Sequence, residues 1–139
     1  MERKEQWMRW QPADNLRNGY YIDSTCNDKN GLKIVLIETE NAKKAVTVLF
    51  DSGIYCYRDT YETYTHSRML EACERQGREL FYGTNFFKVT NSDYIKWVSE
   101  QSGGISNCQP LEHFVIFTQD SMVEILAYYE PRVEFIDLP

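Results

Sequence analysis

The sequence predicts an α+β fold, with an antiparallel sheet of about six to seven strands and two main helices packed on it. Three observations carry that expectation. Residues 20–58 hold strand-like apolar runs, separated by turn-rich breaks, as in an antiparallel meander. Two windows, 65–76 and 91–102, carry apolar residues at helical spacing, and each is followed by glycine. A further pair of apolar runs, 113–118 and 122–129, is joined by a short polar turn.

The elements follow in chain order. Residues 1–18 read as a polar lead-in to a single domain spanning 1–139. Trp7 and Trp10, three apart, lie on one side of a helical turn, while Pro12 and Asn15 oppose a long helix there. The two rings are expected to fold back as a hydrophobic lid over the sheet. Residues 20–26 form the first strand, and the Asn27-Asp28-Lys29-Asn30-Gly31 stretch supplies turn chemistry, strongest at Asn30-Gly31. Residues 32–39 follow, with Ile34-Val35-Leu36-Ile37 suited to burial on both faces. Residues 45–50 alternate, and Asp51-Ser52-Gly53 turns the chain into a fourth strand at 54–58.

After the loop 59–65, a helix over 65–76 carries Met69, Leu70 and Cys73 as its apolar stripe. Glu71 with Arg75, and Glu74 with Arg78, are i,i+4 pairs worth about 0.2–0.5 kcal/mol each. A short strand at 86–90 feeds the second helix. Thr90, Asn91 and Ser92 can each cap it, and Thr90 with Asp93 matches a capping box. Tyr94, Trp97, Val98 and Gln101 share one face, with Ile95 at its flank. Burial of Ile95, Trp97 and Val98 would contribute roughly 1.5–3 kcal/mol each. Gly103-Gly104 then permits the left-handed stop.

Residues 103–112 are loop, and 113–118 are a strand. Residues 122–129 fit two patterns. Val123, Ile125 and Ala127 alternate as a strand, whereas Ser121 and Glu124 match a capping box. A short turn back onto 113–118 favours the strand. Past Pro131, residues 133–136 form a short edge segment.

Charge and composition narrow the function. Fifteen basic and 21 acidic residues leave a net charge of −6. That argues against an unassisted grip on nucleic acid and suits a basic partner. MERKEQWMRWQP is not followed by the apolar run of a signal peptide, and nothing approaches the ~18 apolar residues of a membrane span. Cys26, Cys56, Cys73 and Cys108 lie far apart without a CxxC, as reduced thiols of a cytoplasmic protein do.

Signals for chemistry are sparse. His66 and His113 are the only histidines and have no metal-ligand spacing. No glycine-rich phosphate loop is present, so neither a metal nor a cofactor is expected. Two enzymatic arrangements stay open for a small hydrolase: carboxylates drawn from Asp51, Asp59 and Glu62, or Cys108 paired with His113. A generic adaptor that oligomerises through a sheet edge is another reading.

The residues best suited to partner binding are Asp51, Tyr55, Tyr57, Asp59, Tyr61 and Glu62. Tyr55 and Tyr57 on one strand face, with Ile54, Cys56 and Arg58 on the other, would make an aromatic patch edged by carboxylates. Half-buried tyrosines with solvated hydroxyls are the plainer alternative.

The segments Tyr57-Arg58-Asp59 with Glu62, FFKVTNSDYIKWVSEQSGGI (86–105), LEHFVIFTQDSMVEIL (111–126) and EPRVEF (130–135) give the chain a family likeness. Over residues 20–136 it resembles small bacterial α+β proteins of the polymorphic-toxin immunity type. The resemblance implies a non-enzymatic cytoplasmic protein that binds and neutralises a cognate toxin domain. A basic toxin domain such as a nuclease would suit the acidic chain. The resemblance assigns no residue roles.

Overall fold

The computed structural model describes residues 4–17, 19–104 and 110–139. Among these residues the protein is α+β, with nine strands in two antiparallel sheets and two α-helices. The first sheet contains β2 (Tyr20–Asp28), β3 (Gly31–Glu38), β4 (Lys44–Phe50) and β9 (Arg132–Asp137), in the order β2-β3-β4-β9. The second contains β1 (Gln6–Arg9), β5 (Ile54–Tyr61), β6 (Phe86–Thr90), β7 (Glu112–Phe117) and β8 (Ser121–Ala127), in the order β1-β6-β7-β8-β5.

The expected single sheet is therefore two. Alternation marks the buried positions of a strand but not its neighbour. The Asp51-Ser52-Gly53 turn does not close a hairpin; it carries the chain from the first sheet to the second. Gly53 takes φ 73°, and a Cβ there would lie 2.5 Å from the Tyr129 ring. The β2–β3 hairpin does form, but its two-residue turn is Lys29-Asn30, closed by the Asp28–Gly31 pair. Gly31, at φ 115°, leaves no room for a side chain, because a Cβ would sit 2.3 Å from the Phe50 carbonyl oxygen.

The sheets pack face to face. Leu32, Ile34 and Leu36 of β3, with Val46, Val48 and Phe50 of β4, meet Phe86, Phe114, Ile116, Val123 and Ile125 of the second sheet. The Phe50 and Phe114 rings stand 5.3 Å apart at the centre. Each fully buried apolar side chain here contributes roughly 1.5–3 kcal/mol. The opposite face of the second sheet is covered by α1 (His66–Gln76) and α2 (Asp93–Gln101). β7 and β8 are thus enclosed on both faces. That explains why Met122 through Ala127 are all buried, and why Ser121–Ala127 pairs as a strand rather than coiling as a helix.

The lead-in behaves differently from the expected lid. Residues 6–9 pair with β6 as β1, at the edge of the second sheet. Trp7 packs with Phe87 and Ala72 beneath α1. Trp10 enters the core between the sheets, where its Nε1 donates to Glu130 at 3.0 Å. The two indoles therefore fill different cores, as strand rather than helix geometry allows.

α2 begins where expected, but its cap is Ser92, whose Oγ accepts the Ile95 N–H at 3.0 Å. Thr90 is the last residue of β6. Tyr94 and Val98 are buried, whereas Trp97 is 55% exposed. The helix rests on its Tyr94–Val98 side, so Trp97 does not supply the burial expected of it.

Candidate functional site

Two features converge where β5 meets α2: a buried polar network and, beside it, an aromatic groove. The network is centred on Glu124 of β8, which is 1% exposed. A lone carboxylate in such a place costs several kcal/mol unless it is paired and hydrogen-bonded. Arg58 Nε donates to its Oε2 at 2.6 Å, and Arg58 Nη2 donates to Oε1 at 3.2 Å. Arg68 of α1 donates to Oε1 at 2.6 Å. His113 Nε2 reaches the same oxygen at 2.9 Å.

The network closes into a ring. Arg68 Nε also donates to Glu5 at 3.1 Å, and Glu5 accepts the backbone N–H of Asp93 at 3.0 Å. His113 Nδ1 lies 2.7 Å from Ser92 Oγ. The ionised Glu124 can only accept, so the neutral imidazole carries its proton on Nε2, and its bare Nδ1 accepts the Ser92 O–H. The Nε2 proton donates to Glu124. Glu5 and Glu124 balance Arg58 and Arg68, so the ring is neutral with a neutral His113. It ties the residue preceding β1 to α1, α2, β5, β7 and β8.

Burial pulls the His113 pKa below its ordinary value, outweighing the pull of Glu124. Burial works against ionisation of Glu124 too. There, hydrogen bonds from His113 and Arg58 and the charge of Arg68 win, holding the carboxyl far below the usual range. Both folded pKa values are depressed, so both contributions are complete above the unfolded pKa and fade as pH falls. Stability is therefore expected to decline from about pH 6.5 downward, by up to ~1.4 kcal/mol per pH unit for His113 alone. Urea melts between pH 5 and 7 check this; His113→Gln should flatten the slope.

The groove, about 710 Å³, runs between residues 55–58 of β5 and the Tyr94, Trp97, Val98 and Gln101 face of α2. β5 is an edge strand, paired only with β8 among the described residues. The Arg58 guanidinium lies 4.0 Å from the centre of the Tyr94 ring and forms part of the lining. Burial raises the pKa of both the Tyr94 hydroxyl and the Cys56 thiol.

The predicted contacts fall into three places. Tyr55 and Tyr57 both line the groove. They do not share a face, because a bulge between Ile54 and Cys56 makes Tyr55 an extra residue. Tyr55 packs with Tyr94 and Val98, while Tyr57 packs on the core between the sheets. Cys56 and Arg58 share the helix side as expected; Ile54 goes inward with Tyr57. Asp59, exposed, and Tyr61, 73% exposed, lie at the far end of β5, followed by Glu62. Desolvation raises the Asp59 pKa. Asp51 is at the opposite end, bound to Arg132 at 2.9 Å. At about 3.3 Å per residue, the strand from Ile54 to Asp59 spans roughly 17 Å, so Asp51 is not part of one patch with Asp59 and Glu62.

The proposed thiol–imidazole pair rested on Cys108, which lies outside the described residues. Both nitrogens of His113 are engaged, and Ser92 is 4% exposed and committed as a cap. The Ser92–His113–Glu124 chain thus presents no open nucleophile to a substrate. Compared with models of known families, with curated proteins and with solved structures, the chain has no match in any of the three.

Sequence reasoning missed the network, although one signal was present. Glu124 interrupts the run Met122-Val123-Glu124-Ile125-Leu126-Ala127, and a carboxylate inside a doubly buried strand demands cations. The groove side of α2 was visible in the spacing of Tyr94, Trp97, Val98 and Gln101. Its placement beside β5 was not.

Proposed function

We propose that the chain is a binding protein of the immunity type, which captures and neutralises a basic bacterial toxin domain in the cytoplasm. One observation carries the reading: an open aromatic groove on an edge strand, with no exposed nucleophile–base pair beside it among the described residues. Aromatic anchors around a desolvated centre are the usual source of binding energy between proteins. A half-exposed Trp97 offers such an anchor without a backbone rearrangement.

The net charge of −6 favours a basic partner and its fast capture. The arginine nearest the groove, Arg58, is neutralised from below by Glu124, so it does not oppose that charge preference. Among the described residues no helix is long and apolar enough to cross a membrane.

The test is titration calorimetry of the purified chain with the toxin domain encoded beside its gene, together with protection of cells expressing that toxin. Trp97→Ala should cost about 2–4 kcal/mol of binding, roughly 30-fold or more in Kd, with the melting temperature preserved. Full affinity and protection in that variant would remove the groove as the docking site.

A further inference from the structure

β5 closes one side of the second sheet, so alternate backbone N–H and C=O groups along it have no ladder partner among the described strands. Beside those groups runs the groove, lined by four consecutive β5 residues and by α2 positions 94, 97, 98 and 101. A helix face set against a free strand edge is the geometry in which extended peptides dock by strand addition. Such a peptide lies about 4.8 Å from its host strand and sends alternate side chains to one face. Here that face is the side covered by α2, where Trp97 and Val98 offer apolar contact.

The rim fixes the chemistry of the occupant. Asp93 and Glu100 flank Trp97 at i−4 and i+3, and both are exposed. Glu62 follows the end of β5, whereas Asp59, in register with Val123, is on the face turned away from α2. Against Asp93 and Glu100 the α2 rim places Lys96, which lies 3.8 Å from Asp93. Arg58, below, is held by Glu124. The rim is therefore acidic beside an apolar floor.

We infer that the partner docks through an extended segment that adds to β5 as a further antiparallel or parallel strand, with apolar side chains alternating into the groove and Lys or Arg meeting the acidic rim. This rests on the binding-protein reading and specifies how that partner engages. Backbone hydrogen bonds supply affinity, and the Trp97 side of the groove selects the alternate apolar residues.

The experiment selects a displayed library of linear random peptides against the full chain, then studies the selected peptide in synthetic form. Three results are expected. The selected peptides alternate apolar residues with Lys or Arg. Amides within residues 55–61 gain at least tenfold protection from hydrogen exchange. Methylating the peptide's backbone nitrogens at alternate positions weakens binding by roughly tenfold per lost donor. A peptide that binds without protecting β5, or equally well when methylated, overturns strand addition. So does concentration-dependent protection of β5 without peptide, which assigns the edge to a second copy of the chain. If no peptide is selected while toxin binding still depends on Trp97, strand addition fails and the binding-protein reading stands. If neither peptide nor toxin responds to Trp97→Ala, both fail.

Discussion

Glu124→Gln is expected to lower the folding free energy by about 3–5 kcal/mol, a large share of the ~5–15 kcal/mol available to a domain of this size. The amide keeps the shape of the carboxylate but removes the charge that Arg58 and Arg68 both address. Arg68 would retain Glu5, at 3.1 Å, while Arg58 would lose its one carboxylate partner among the described ion pairs. An amide nitrogen would also turn a donor toward one of these cations. Urea denaturation should show a lower midpoint with an unchanged m-value, because the surface exposed on unfolding is the same. The exposed Glu71–Arg75 pair, at 4.0 Å, is the contrast: Glu71→Gln should cost less than about 0.5 kcal/mol. A Glu124→Gln variant as stable as the parent would mean that the buried ring contributes nothing to holding the helices on the sheet.

Charge reversal at Asp59 and Glu62 should act on recognition rather than on folding. With Asp59→Lys and Glu62→Lys together, the net charge moves from −6 to −2. The change falls at the end of β5, past the residues that line the groove. Association with a basic partner should slow by about 10–100-fold at low salt, and the difference should shrink as ionic strength rises toward a Debye length of about 8 Å. Dissociation should change much less than association, because these are rim charges rather than buried anchors. Stopped-flow or surface kinetics at two salt concentrations separate the two rates. An unchanged association rate would place the electrostatic contact elsewhere. Reversal at Asp51 serves as the control: it lies at the other end of β5 and already pairs with Arg132, so it should leave capture unaffected.

The site has a rigid part and a reading part. The ring from Glu5 through Arg68, Glu124, His113 and Ser92 fixes the N-terminus of α2 against the sheet. That placement sets where Trp97 stands relative to β5. A groove wall positioned by buried, charge-balanced contacts keeps its geometry without the partner, which lowers the ordering cost of binding.

Much of the local structure was legible in the residues. Turn chemistry around Gly31, alternation in β4, and the spacing of Tyr94 and Val98 in α2 depend on neighbours within a few positions. An aromatic surface on β5 was also legible, since Tyr55 and Tyr57 do line the groove. Their expected common face was not realised, because a bulge shifts register by one residue and no residue type announces it at that position. β1 escaped notice because four residues of an edge strand are too few to establish a period.

By itself the sequence determined the α+β class, most strands, both helices and the acidic character of the chain, because backbone propensity, periodicity and charge are local properties. Only the tertiary structure decided that the strands form two sheets, that Glu124 is neutralised from several elements, and that α2 stands beside the free edge of β5. Those outcomes depend on contacts between residues far apart in the chain: Arg58 reaches Glu124 across 66 positions, and Arg68 reaches Glu5 across 63. Burial gives such pairings their strength, and burial exists only once the sheets and helices have packed.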